Sequence, residues 1–243
     1  MTDRAPETLI SLENVGLKYR LKRPLNGSRD HWAVRDVSLD LRRGETLGVI
    51  GSNGAGKSTL MKLLAGIVKE DRGRVWRRDD LKIILLAIGM GFESSLTGRE
   101  NAIMGGMLLG LHYRTIKKRL ARIIEFSELE EFIDQPIYTY SSGMLARLGF
   151  AVAMEVHPDV LILDEVLGVG DMKFAEKSSQ ALIEKIRSDM TVVLISHSPE
   201  TIRGLCSRAS WINRGVTQAS GTVAEVTSQY EHFVHSGILP RPD

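Results

Sequence analysis

The sequence predicts an α/β domain interrupted by a mainly helical block, and three observations carry that prediction. Continuous apolar runs at 160–163 and 192–195 have the composition of strands covered on both faces. A glycine-rich segment at 51–56 falls between a short apolar strand and a helix. Between 94 and 155 the apolar positions recur with a helical period of about 3.6 instead of two.

The elements follow in order. Positions 9–19 and 32–41 alternate with period two, and Arg43-Gly44 reads as a turn after the second strand. Between them, 22–31 is polar and basic and contains Pro24 and Gly27, which predicts a solvated surface loop. A strand at 46–50 leads through the glycines into a helix at 57–68, with further strands at 74–77 and 82–88. Helices are expected at 98–109, 116–127 and 142–155, with Thr97 and Glu100 forming a capping box at the first. After Pro158 strand and helix alternate again, ending in a helix at 223–234. The expected organisation is one domain over 1–243, with an α/β core and β subdomain at 1–93 and 157–243 and a helical subdomain at 94–156.

Composition narrows the classes. The chain has 243 residues, 32 basic against 30 acidic, and a net charge of +2. That near-balance argues against a highly charged disordered tail and gives no electrostatic case for a dedicated DNA binder. The 43 % apolar and 26 % charged fractions are those of an ordinary globular protein. A single cysteine, Cys206, excludes an intramolecular disulfide and a CxxC zinc site. The first twelve residues carry charges where a signal peptide would be apolar. The longest apolar run, 83–92, is broken by Gly89 and Gly91, far short of the ~18 residues of a spanning helix.

Two motifs carry chemistry. Gly51-Ser52-Asn53-Gly54-Ala55-Gly56-Lys57-Ser58, followed by Thr59, fits the phosphate-binding pattern GxxxxGK[ST] in its strand–loop–helix context. Glycines let successive amides converge on phosphate oxygens, and the helix N-terminus adds a favourable field. Lys57 is placed to bridge β- and γ-phosphates and Ser58 to ligate Mg²⁺. The second motif is the apolar strand ending in Asp164-Glu165. Asp164 is expected at the carboxyl edge of the sheet, holding Mg²⁺, with Glu165 polarising the attacking water. Adjacent acids, and a spacing of 107 residues between Lys57 and Asp164, disfavour a P-loop small-molecule kinase.

Inside the helical block, Tyr140-Ser141-Ser142-Gly143-Met144 opens a helix carrying Arg147. Here the chain resembles the ABC ATPase family, whose signature peptide Leu-Ser-Gly-Gly-Gln opens such a helix. Ser141 and Gly143 match; Tyr140, Ser142 and Met144 depart. The resemblance implies a RecA-like α/β core with an antiparallel β subdomain and an inserted helical subdomain. It also implies a head-to-tail homodimer in which Ser141, Ser142 and Gly143 meet the γ-phosphate of ATP held by the other copy. By the same resemblance, the D-loop ends at Asp171, His197 is the switch histidine, and Tyr19 stacks on adenine, with Trp32 as its competitor. The glutamine usual in the family falls on Ala87, leaving Glu93 as the nearby substitute. His31, His112, His157, His232 and His235 show no ligand spacing, so they are assigned no metal.

A finer match lies in Gly89-Met90-Gly91-Phe92, Leu96-Thr97-Gly98-Arg99-Glu100-Asn101 and Asp164-Glu165-Val166-Leu167-Gly168-Val169-Gly170-Asp171. These strings resemble the ATP-binding subunits of polysaccharide exporters for O-antigen, teichoic acid, capsule and cell-wall galactan. The resemblance implies a transport ATPase using ATP and Mg²⁺. It would sit on the cytoplasmic face of the plasma membrane with two copies of a permease, exporting a lipid-linked glycan without contacting nucleic acid. The C-terminal carbohydrate-binding domain of some members is not expected within these 243 residues. A rival reading is a non-transport ABC ATPase that regulates cell-wall enzymes. DNA-clamp and translation-factor versions lack their coiled coils and second cassette.

Overall fold

The computed structural model describes residues 7–25, 28–86, 91–164, 171–188 and 190–239. In chain order the elements are β1 (Thr8–Leu25), β2 (Ser28–Arg42), β3 (Thr46–Ile50), α1 (Lys57–Leu64), β4 (Arg72–Arg77), β5 (Ile83–Leu86), α2 (Gly98–Leu108), α3 (Tyr113–Ser127) and α4 (Ser142–Met154). There follow β6 (Val160–Asp164), α5 (Met172–Ile186), β7 (Thr191–Ser196), α6 (Pro199–Leu205), β8 (Arg208–Asn213), β9 (Val216–Gly221) and α7 (Val223–Ser236). They divide between two compact units, one of 1–85, 159–165 and 186–243, the other of 86–158 and 166–185.

In the first unit the described strands order as β4-β1-β2-β9-β8-β3-β7-β6-β5. β1 runs antiparallel to β2 and β4, whereas β3 is parallel to both β7 and β8, and β6 is parallel to β7. All of β3 and β7, and β6 up to Leu163, are buried, as their unbroken Val/Ile/Leu content requires. Leu47, Val49, Ile162, Val193 and Ile195 share one core with Leu60, Leu63 and Leu64 of α1. On the other side, Trp211 packs against Tyr230 and Phe233 of α7.

Of the loop expected at 22–31, the described residues 22–25 and 28–31 are instead strand. Arg20 pairs with Asp30 and Leu25 with Ser28, so β1 and β2 continue as a ribbon. The charges had suggested solvent, and solvent is there. The alternation of Lys18, Arg20 and Lys22 with Tyr19 and Leu21 is nevertheless strand-like, and Asn-Gly at 26–27 is a favoured hairpin dipeptide.

The second unit is built on α2–α4, and it reaches beyond the 94–156 block to take in α5. Phe126 of α3, Phe150 of α4 and Phe174 of α5 meet at centroid distances of 5.8–6.4 Å, which ties α5 to α3 and α4. α3 buries Ile116, Leu120 and Ile123, one turn apart. Lys185 of α5 donates to the Met154 carbonyl at 2.7 Å, and burial lowers its pKa to about 8.

The α2 entry assigns work to each residue of Thr97-Gly98-Arg99-Glu100-Asn101. Thr97 and Glu100 form the expected capping box. A Cβ on Gly98 would lie 2.2 Å from the Tyr140 hydroxyl. Arg99 forks onto Asp134 at 2.6 and 2.9 Å. Asn101 is fully buried: it accepts from the Glu93 amide at 2.7 Å and donates to the carbonyls of Glu93, Leu96 and Thr97. Asn101→Ala strands a buried amide and several carbonyls, so thermal or urea unfolding should show a loss of about 2–4 kcal/mol.

Candidate functional site

Parallel pairing sets the first half of the site. Ile50 pairs with Ser196, and Asp164 pairs with Ile195, so β3, β7 and β6 end at one edge. Gly51 follows Ile50 there, His197 follows Ser196, and Asp164 is the exposed last residue of β6. Glu165 lies outside the described residues.

Beyond β3 the chain turns through the glycines into α1, whose N-cap is Gly56 in left-handed conformation (φ 102°) with no side-chain cap. A Cβ on Gly51 would sit 2.3 Å from the Ile212 carbonyl oxygen, and one on Gly56 would sit 2.4 Å from that of Ala33. These two glycines therefore let the loop lie against neighbouring backbone. Lys57 is buried, and its ammonium donates to the carbonyls of Gly51 (2.7 Å) and Ser52 (2.9 Å). Asn53, Gly54, Gly56, Lys57, Ser58, Thr59 and Asp164, with Ala33, line a cleft of about 370 Å³. Ser58 and Asp164 thus present a hydroxyl and a carboxylate to one space.

Ala33 and Gly215 went unnoticed in the sequence. Gly215 donates to the Ala55 carbonyl at 2.8 Å and accepts from the amides of Arg35 (2.7 Å) and Asp36 (3.0 Å). Its φ is 77°, and a Cβ there would lie 3.0 Å from backbone atoms of Ala33, Val34 and Arg35. The turn before β9 thereby clamps the glycine loop to β2. Only the Arg214-Gly215 turn dipeptide hinted at it.

The second unit carries its own cleft, about 330 Å³, lined by residues including Glu128, Phe132, Ser141, Gly143, Arg147 and Asp171. Ser141 is the N-cap of α4, its hydroxyl accepting from the Met144 amide at 3.2 Å, and Ser142 beside it is exposed. Arg147 pairs with Asp171 and, at 3.4 Å, with Glu128, while lying 5.1 Å from the Phe174 ring centroid. The Phe174 amide, with Arg147 alongside, holds the Asp171 carboxyl below its usual range. Tyr140 is buried and donates to the Phe132 carbonyl at 2.7 Å.

A family model described as ABC transporter matches residues 34–168, more than half the chain. The chain belongs to the ABC transporter family. The O-antigen export system ATP-binding protein RfbB of Klebsiella pneumoniae is 42 % identical over 203 residues, covering 84 % of this ABC chain and 82 % of that protein. The teichoic acids export ATP-binding protein TagH of Lactococcus lactis is 45 % identical over 206 residues, or 85 % of this chain and 44 % of that one. RfbB of Myxococcus xanthus is 41 % identical, over 91 % and 52 % of the two chains. The chain thus spans about half the length of several curated relatives it matches. Among solved structures, a dimeric ATP-binding cassette in a post-hydrolysis state with ADP and Pi superposes with a TM-score of 0.69 at 22 % identity, over 88 % of this chain and 99 % of that one. An ATP-binding subunit of an ABC transporter reaches 0.71 at 22 %, over 92 % and 94 %. This chain shares its fold with both solved structures.

Against that family frame, other predicted positions separate. Tyr19 is 38 % exposed on β1 and is not among the residues lining the glycine-loop cleft. Trp32 is occupied with packing: Lys18 and Arg72 lie 5.7 and 5.6 Å from its ring centroid, and a Cβ on Gly16 would come within 2.9 Å of the ring. Glu93 accepts from the Ser95 amide and hydroxyl at 3.2 and 3.0 Å, which lowers its carboxyl pKa and turns it into its own loop. Ala87 and 168–170 lie outside the described residues. Gly215→Ala, outside the cleft lining but packed against Ala33, should weaken nucleotide binding about tenfold by straining the clamp, read by fluorescent-nucleotide titration. Unchanged affinity would show that the clamp does not hold the loop.

Proposed function

We propose that this chain is the ATP-hydrolysing subunit of an exporter. It works as a head-to-tail homodimer beneath two copies of a membrane permease, on the cytoplasmic side, and moves a lipid-linked polysaccharide outward. The observation that carries the ATPase reading is the convergence of Lys57, Ser58, Thr59 and Asp164 on one cleft at the carboxyl edge of parallel strands. The export reading is supported by the relatives, which are named for O-antigen and teichoic acid export. No helix among the described residues is long and apolar enough to cross a membrane, so the reading assigns the crossing to the permease.

In this reading the glycine-loop amides of 51–56, with Asn53 and Ala55 in the turn, and the start of α1 bind the phosphates. The Lys57 ammonium exchanges loop carbonyls for phosphate oxygens. Ser58 and Asp164 hold Mg²⁺, a hard-oxygen pair left incomplete without phosphate ligands, and the ion supplies charge neutralisation when bound. Glu165 orients water, and His197, at the end of β7, supports the γ-phosphate. Ser141, Ser142 and Gly143 of the second copy close the site, with Asp171 linking the two halves. Tyr19 is the adenine platform. The exposed Met107, Leu108 and Tyr113 at the end of α2 and the start of α3 give the permease an apolar seat.

Glu165→Gln should retain ATP binding while steady-state turnover falls at least ~100-fold. Depletion of the protein should accumulate one full-length lipid-linked polymer in the cytoplasmic leaflet, relieved by wild type and not by Glu165→Gln. Altered wall remodelling without accumulation would overturn the export reading and favour a regulatory ATPase.

A further inference from the structure

The β1–β2 ribbon outruns its sheet. β4 pairs with β1 only at positions 10–16, and β9 meets β2 at Asp36, so beyond these points the two strands pair only with each other among the described residues. From position 18 to 25 the ribbon spans roughly 26 Å at strand rise. Segment 18–32 holds five basic residues, Lys18, Arg20, Lys22, Arg23 and Arg29, against Asp30 alone. The chain is +2 in all, so the ribbon contains its entire positive excess and the remainder is net negative. Lys18 is paired with Asp30 at 2.6 Å, but Arg20, Lys22 and Arg29 are exposed and make no ion pair among the described residues. The ribbon springs from the glycine-loop cleft, since Ala33 of β2 lines it.

The opposite charge borders the other cleft. Residues 127–134 hold Glu128, Glu130, Glu131 and Asp134 with no base. Glu128 and Phe132 line the cavity shared with Ser141 and Gly143. Glu128 is engaged by Arg147 and Lys177, and Asp134 by Arg99. Glu130 and Glu131 are exposed and make no ion pair among the described residues.

We propose that the basic ribbon of one copy docks on Glu130 and Glu131 of the second copy, forming a charge clamp at the rim of the head-to-tail dimer. This rests on the dimer reading above. In the proposed dimer, setting the glycine loop of one copy on the Ser141 segment of the other would face the rim carrying the ribbon's base at Ala33 with the rim carrying Glu128 and Phe132, twice by two-fold symmetry. Complementary rim charges act chiefly on partner choice and encounter rate, and they are screened beyond a Debye length of about 8 Å in physiological salt.

The test is ATP-dependent self-association of the full chain with Mg²⁺, followed by sedimentation at several ionic strengths. Arg20→Glu/Lys22→Glu/Arg29→Glu and, separately, Glu130→Arg/Glu131→Arg should each raise the dimer Kd about tenfold or more at low salt. Because both contacts are made in trans, combining all five substitutions in one chain should restore the Kd to near the wild-type value. Wild type that dimerises with both reversals silent, or a combined variant worse than either, overturns the clamp. Reversal that leaves dimerisation intact but releases the protein from phosphatidylglycerol vesicles overturns it in favour of a membrane-facing arm. Wild type that fails to dimerise with ATP defeats the underlying dimer reading instead, so the two failures are distinguishable.

Discussion

The parallel register of β3, β7 and β6 is the constraint on which the first unit depends. Once Ile50 is opposite Ser196 and Ile195 is opposite Asp164, the glycine loop, Asp164 and His197 leave the sheet at a single edge. A one-residue slip would invert every side chain on the shifted strand and take Asp164 out of line with the ends of β3 and β7. Burial of Leu47, Val49, Ile162, Val193 and Ile195 makes such a slip costly, so the hydrophobic core and the chemistry of the edge are the same design. The Gly215 clamp adds the remaining restraint, fixing the loop to β2 by backbone hydrogen bonds alone.

The helical unit reaches rigidity by different means. Its α2 entry is over-determined by Asn101, the capping box and the Arg99–Asp134 fork, all near the loop that begins at Glu93. Arg147 joins α4 to Asp171 at the head of α5 and to Glu128 at the end of α3. That network fixes Ser141 relative to Asp171 within one unit. In the proposed dimer, the signature segment and the D-loop end therefore move as one body when the two copies close or part.

Much of this was legible in the residues. The strand–loop–helix around Lys57, the buried strand ending in Asp164, and the Thr97–Glu100 capping box follow from composition and spacing, because each is a local pattern with one physical solution. In the ribbon the charges speak for solvent and the alternation for a strand, and both hold, so composition alone points to a loop. The Gly215 clamp has no local signature beyond its turn dipeptide, because its partners Arg35, Asp36 and Ala55 are far away in sequence and contribute only backbone atoms. The attachment of α5 to the helical unit rests on Phe174 meeting Phe126 and Phe150, a long-range contact that no period predicts. Tyr140, which departs from the family leucine, has a use of its own: its hydroxyl ties the α4 entry to Phe132.

The central claim is that each ATP site is completed by two copies, the glycine loop from one and the Ser141 segment from the other. The direct measurement mixes two inactive full-length variants, Lys57→Ala and Ser141→Arg, and follows phosphate release. In a two-fold dimer each heterodimer regains one intact site, so an equimolar mixture should recover roughly a quarter of wild-type activity. No recovery, with heterodimers demonstrably formed, would contradict the account.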